Sequence, residues 1–256
     1  MQPFSKNREL VIDIVKLGRS KHHVPILFEV DVTDARNRIR LLKQQRGEPL
    51  SFTGWAVKCI AQAISENKQM HAIRRGRRQT VVFEEVDVLL TVQKSVEGEL
   101  IPLPFVIRSA NGKSVLQINE EILVAKRQDV TKGTMTLGKN PWYANLYLSL
   151  PSMIRSLVGL RMMRNPFAIK RNTGTVGVSS IGMMGNFAGW AIPVGPLPIQ
   201  FALGGIANKP GFVDGQVEGR EFLSVAFVFD HDVVDGAPVA AFTSRLVELM
   251  QSTYGL

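Results

Sequence analysis

A single cysteine, Cys59, stands in 256 residues, which excludes a disulfide framework and a cysteine-built zinc site. It lies in an apolar helical pattern and reads as an inert buried thiol. One thiol also fits a reducing compartment, and a cytoplasmic location is expected. No apolar core followed by a small-residue cleavage site occurs in residues 1–24, so no secretory leader is read there. Aromatic residues make up only 7%, and none interleave with the basic clusters, so no nucleic-acid partner is expected. The longest charge-free stretch, Asn172 to Asn208, holds eight glycines and three prolines. A lipid-exposed helix could not keep its backbone bonds through Pro193, Pro196 and Pro198, so the stretch reads as buried strands and tight loops. A Walker lysine, a G-x-S-x-G elbow and a dinucleotide fingerprint are all missing.

What is present is a globular composition, 45% hydrophobic and 21% charged. The formal charge of +9 suits an anionic partner, and equally a solvated basic surface. Strands are expected at Pro25–Val32, Val81–Phe83, Val86–Val92, Leu100–Ile107, Gly174–Val178, Ile199–Ile206, Phe212–Val217 (with an Asp214-Gly215 turn) and Phe222–Phe229. Thr33 and Asp34 offer N-cap oxygens to a helix carrying Ala35, Ile39, Leu41 and Leu42. Further helices are expected over Ser51–Glu66, Ser114–Arg127 and about Gly236–Gln251. The order predicts an α+β fold, a mixed β-sheet with flanking helices, in one domain spanning 1–256. Residues 129–171 stand out as an apolar insertion punctuated by Arg155, Arg161, Arg164, Lys170 and Arg171.

Two places can carry chemistry. In VAFVFDHDVVDGA (225–237) an apolar strand ends and presents His231, with Asp235 four residues on, opening a helix. An imidazole ordinarily titrates near neutrality, so His231 can serve as a general base, and the Asp235 carboxylate suits a helix N-terminus. The same residues also describe a surface turn with two capping aspartates. In GTVGVSSIGMMG (174–185) Ser179 and Ser180 offer hydroxyls at a strand end, able to donate to a developing oxyanion. A Gly-rich bend in a core strand is the alternative. Of the other histidines, His22 and His23 read as solvated turn residues and His71 as a surface residue. The arginines at 74, 75, 77 and 78 read as a hairpin tip.

Together the two places resemble the D-H-R-x-x-D-G and G-T-F-T-I-S/T-N-x-G-M-x-G signatures of the catalytic domain of dihydrolipoamide acyltransferases. That domain is the core of 2-oxo-acid dehydrogenase complexes, and chloramphenicol acetyltransferase shares its shortened H-x-x-x-D-G motif. Ser179 falls on the hydroxyl position, 52 residues before His231. The segments SKHHVP, SFTGWAVKCIAQAI and VDVLLTVQKSVEGELIPLPFVIRSA are similar to upstream family patterns. The sequence departs from the family at Asp232, where the motif has Arg, and at Ser180, where it has Asn. Asp232 adds a negative charge beside the imidazole, which would raise its pKa and weaken it as a base at neutral pH.

The resemblance implies the chloramphenicol acetyltransferase-like fold and a coenzyme-A-dependent acyltransferase. His231 would be the base, Ser179 the oxyanion donor and Asp235 the loop-fixing acid. Acyl coenzyme A would be a substrate, no metal would be needed, and no lipoyl group would be covalently bound to this chain. An acyl group would arrive on coenzyme A or a separate carrier, for transfer to a thiol or other small nucleophile. The resemblance also implies a homotrimer or an assembly of trimers. Residues 142–167 are expected to form a lid over the acyl pocket or a wall lying on a membrane surface, and packing between subunits is equally open. A catalytically silent oligomeric scaffold, or a peripheral membrane-binding relative, is the alternative reading of the whole chain.

Overall fold

The computed structural model describes residues 6–47, 50–96, 99–130, 136–137, 144–182 and 188–256. Among the described residues eight strands form two sheets: β1 (His23–Asp31), β2 (Ile73–Arg75), β3 (Gln79–Val81), β4 (Val88–Val96), β5 (Glu99–Ile107), β6 (Val176–Ser180), β7 (Ile199–Val213) and β8 (Gln216–Asp230). The main sheet runs β1-β8-β7-β6-β4-β5, and β2 pairs with β3 in a small hairpin. β6 is parallel to both neighbours, β4 and β7, and the other pairs are antiparallel. The sheet is therefore mixed, as the order of elements predicted.

The helices are α1 (Lys6–Arg19), α2 (Thr33–Arg46), α3 (Phe52–Glu66), α4 (Val115–Arg127), α5 (Ala144–Ser149), α6 (Ser152–Met163), α7 (Pro166–Thr173) and α8 (Gly236–Gln251). α3 is buried along most of its length because its small and apolar residues (Trp55, Ala56, Val57, Cys59, Ile60, Ala61, Ala63, Ile64) leave almost no polar face. α8 contributes Val239, Phe242, Leu246, Leu249 and Met250 to the same core. On the sheet side Phe201 stacks on Phe227 at 4.8 Å, and Phe242 lies 5.3 Å from Phe227. Each such aromatic removes enough area from water to contribute roughly 1.5–3 kcal/mol. Cys59 is buried, and burial pushes its thiol up to about 12, so it is inert.

Local signals explain most boundaries. Ser51 caps α3 by accepting from the Gly54 N–H, and Ser114 forms a capping box with Gln117 on α4. α2 differs from expectation. Its first N–H and hydroxyl, at Thr33, donate to the carboxylate of Asp31, so the cap oxygen comes from the strand before the helix. The expected separate strand at Phe212–Val217 is the tip of a long hairpin. Asp214 and Gly215 have φ of 49° and 80°, the left-handed pair that a two-residue turn needs, and β7 and β8 run on through it for 15 residues each. The tip outruns the neighbouring strands: β1 ends opposite Phe222 and β6 opposite Leu203. At the outer edge of β5, Pro102 and Pro104 occupy alternate positions, and the Pro104 carbonyl accepts from the Leu137 N–H at 2.8 Å.

His71, expected at the surface, is fully buried. The turn before β2 carries it under α7, where Nε2–H donates to the Phe83 carbonyl (3.1 Å) and Nδ1 accepts from the Thr175 hydroxyl (2.8 Å). Burial brings the imidazole down to about 4. α1 lacks any counterpart among the expected elements. In the segment 129–171, the described residues from Ala144 onward are largely helical, with a break at Pro151, which is the N-cap of α6. Trp142 and Tyr143 lie outside the described residues, as do positions 183–185 of the serine segment.

Candidate active site

His231 follows the last residue of β8 and stands exposed on the turn into α8. Its backbone N–H donates to the His22 carbonyl (3.0 Å), and the preceding Asp230 N–H donates to the Pro198 carbonyl (2.8 Å). Asp230 itself is 3% exposed, and its carboxylate takes Lys21 Nζ at 3.0 Å. The turn is closed by N–H bonds from Val233 and Val234 to the Asp230 carbonyl. The imidazole lies 5.6 Å from the Phe229 ring. The strand end and a part-buried ion pair thus fix the backbone that carries the exposed ring.

Asp235 is the N-cap residue of α8 with extended backbone, but its side chain makes no capping hydrogen bond. Its exposed carboxylate stays beside the helix N-terminus without taking a backbone donor, contrary to the expected cap. Asp232 is committed elsewhere. It accepts from Arg74 on the β2–β3 hairpin at 3.1 Å and meets His22 Nδ1 at 2.8 Å. The His22 contact is the main reason its carboxyl is held below the usual range. The expected pull of Asp232 on His231 is therefore replaced by a clamp that ties three segments together. Arg74 is a clamp residue, whereas the sequence suggested only a solvated tip. His23, half-buried on β1, has its pKa lowered by burial, and its Nε2 is buried with no hydrogen-bond partner among the described residues.

Ser179 sits on β6, half-buried, on the sheet face away from the α3–α8 core. Its hydroxyl donates to the Phe201 carbonyl at 3.4 Å, a long bond that leaves it easily redirected. The structure does not bring Ser179 and His231 together in one chain. Ser179 is level with Ala202 and Ala226 across two strands, and His231 lies five residues beyond Ala226. At about 3.3 Å per residue the two groups are on the order of 15 Å apart along the strands alone.

Next to Ser179, Ser180 opens onto a cavity of about 560 Å³ between α2, α4 and the ends of β6 and β7. Its walls are apolar (Ile39, Leu50, Phe52, Ile122, Leu203, Leu223), and its mouth carries Arg36, Arg40, Lys43 and Lys126. Glu221 pairs with Arg36 and Arg40, at 3.2 and 3.0 Å. This basic mouth escaped the sequence reading. The signal was there, since 36, 40 and 43 recur at helical spacing on one face of α2. None of the described residues of 142–167 lines this cavity. Among the described residues no group of three or more His, Cys, Asp or Glu side chains is placed to hold a metal ion.

A mixed sheet packed by helices on one face, with a histidine leaving one strand end and a serine on another, is the arrangement of the coenzyme-A-dependent acyltransferase fold. Chloramphenicol acetyltransferase superposes with a TM-score of 0.53 at 13% identity, covering 97% of this chain and 96% of that one. The dihydrolipoamide acetyltransferase of Azotobacter vinelandii superposes more fully, with a TM-score of 0.69 at 20% identity over 98% of this chain and 90% of that one. Residues 169–256 match the profile of the 2-oxoacid dehydrogenases acyltransferase (catalytic domain) family. The chain is similar in sequence to the dihydrolipoamide acyltransferases. It is 27% identical over 246 residues to the lipoamide acyltransferase component of the branched-chain alpha-keto acid dehydrogenase complex of Bacillus subtilis (strain 168). That alignment covers 92% of this chain and 49% of the relative, so the chain spans about half the length of the curated protein it matches.

Proposed function

We propose that this chain is an acyltransferase catalytic domain that moves an acyl group between coenzyme A, or another thioester carrier, and a small thiol. One observation carries the reading. Ser179, His231 and Asp235 repeat the spacings, 52 and four residues, of the serine, histidine and asparagine investigated for the catalytic mechanism of the Azotobacter vinelandii enzyme. Here they fall on a strand, a strand end and a helix start of the same fold.

The chemistry follows from those positions. His231, unprotonated, removes the thiol proton as the sulfur attacks the thioester carbonyl. Ser179 donates to the oxyanion of the tetrahedral intermediate. Collapse of the intermediate expels the thiolate of the carrier, which takes the proton back from the imidazolium. Two groups on the order of 15 Å apart cannot serve one carbonyl, so the proposed site is completed by the serine of a second copy, and the proposed assembly is a homotrimer or larger. Asp232, in its clamp, positions the His231 turn.

The test is thiol release from a panel of acyl thioesters, together with molar mass by light scattering. His231→Ala is expected to abolish release, and Ser179→Ala to lower it about 10²–10³-fold. A stable monomer, or release unaffected by His231→Ala, rejects the reading. A multimer inert on every thioester returns the scaffold alternative.

A further inference from the structure

α6 is a helix turned inside out. Its covered side carries Arg155 and Gly159. Its solvent side carries Met153, Ile154, Leu157, Val158 and Leu160, which are 43–84% exposed. The cause lies beneath it. Arg155, only 3% exposed, reaches Asp13 (2.9 Å) and Glu9 (2.7 Å) on α1, and the carbonyl of Leu150 (3.0 Å). Gly159 lets the α6 backbone close on Leu17, where an added Cβ would stand 3.1 Å from the side chain. The polar groups are used up inside and the apolar ones left outside, the reverse of a helix built to face water. α1 repeats the pattern: Asp13 is buried while Val11, Ile12 and Ile14 are 40–45% exposed. Apolar side chains contiguous on one exposed helix face mark an interaction surface.

Charge identifies the occupant. The 84 residues between Asp129 and Asp214 contain no Asp or Glu and eight Lys or Arg. Arg161 and Arg164 stand exposed at the end of α6, Arg171 on α7, and Lys16 and Arg19 at the end of α1. A second copy seated on α6 through its own α6 would set these bases against their own kind. An anionic bilayer satisfies both features: the apolar face enters the boundary of headgroups and acyl chains, and long basic side chains reach back to the phosphates. Twelve residues make a helix of about 18 Å, too short to cross a bilayer and suited to lie along it. No described helix is long and apolar enough to span a membrane.

We infer that α6 is a membrane-docking face that takes anionic phospholipid, through Met153, Ile154, Leu157, Val158 and Leu160 with Arg161 and Arg164. The inference goes beyond the acyltransferase reading and uses neither Ser179 nor His231.

The experiment is flotation of the full chain with two kinds of vesicle. One is phosphatidylcholine mixed with phosphatidylglycerol, the other phosphatidylcholine alone. Wild type is expected to float with the mixed vesicles and to be released by salt. Met153→Glu with Leu157→Glu is expected to abolish flotation, and Arg161→Gln with Arg164→Gln to weaken it about ten-fold. Unchanged circular dichroism confirms that the variants fold. Failure of wild type to float with mixed vesicles overturns the inference, and so does flotation of the double-Glu variant. A change in the molar mass of lipid-free protein on introducing the two glutamates also overturns it, because a second copy would then be the occupant.

Discussion

His71 makes the stability of this protein dependent on pH in a calculable way. Its ring is fully buried, both nitrogens are used, and desolvation lowers its pKa from 6.5 to about 4. The Phe83 carbonyl can only accept, so the neutral ring carries its proton on Nε2. In the unfolded chain the same imidazole takes a proton near its ordinary value. The unfolded state therefore binds more protons than the native state throughout the interval, and stability rises with pH. The contribution of His71 is complete above pH 6.5 and is lost as the pH falls through the interval toward 4. The linkage integral to pH 4 amounts to about 3 kcal/mol, of which about 1.4 kcal/mol is gone by pH 5.5. His71→Gln keeps a donor for Phe83 and cannot titrate. The assay is urea denaturation of both proteins at several pH values, read as their difference so that other titrating groups cancel. Wild type is expected to lose about 3 kcal/mol relative to the variant between pH 7 and pH 4. A difference that stays flat over that range would refute the reasoning, and would mean that the ring is hydrated or charged in the native state.

Two further outcomes follow from packing and charge. Gly174 has φ of 72°, and a Cβ there would stand 2.5 Å from the backbone oxygen of Asp87. Gly174→Ala is expected to cost about 2 kcal/mol or more and to lower Tm by about 5 °C in a thermal melt. The Asp232–Arg74 contact joins partly exposed groups, so a double-mutant cycle with Asp232→Ala and Arg74→Ala is expected to give a coupling of about 0.5–1 kcal/mol in urea denaturation. A coupling of zero would remove the clamp.

The sheet and its main helices were legible because each rests on local chemistry. Serine caps fixed the starts of α3 and α4, unbroken apolar runs marked the buried strands, and Asp214-Gly215 marked a turn. The hairpin around that turn was misjudged because its outer half is half-exposed and lacks the apolar continuity of Phe222–Phe229. α1 and α6 were obscure for a physical reason. Their buried faces are polar and their outer faces apolar, so periodicity alone gives no correct inside. His71 was misplaced because a buried neutral imidazole is settled by partners at Phe83 and Thr175, 12 and 104 residues away. The candidate site was legible as spacing, since Ser179, His231 and Asp235 are fixed by sequence. Their separation across the sheet, and the commitment of Asp232 to Arg74, needed three dimensions.

The prolines of β5 decide where this sheet can grow. The Pro104 carbonyl points away from β4, and in a strand the amide of the same residue points the same way. Pro102, two positions earlier, shares that orientation. At both places the outer margin lacks a donor, and at Pro104 its acceptor is already taken by the Leu137 N–H, so an incoming peptide segment cannot complete a ladder along it. That margin is sealed against runaway polymerisation by two imino acids together with the chain at Leu137.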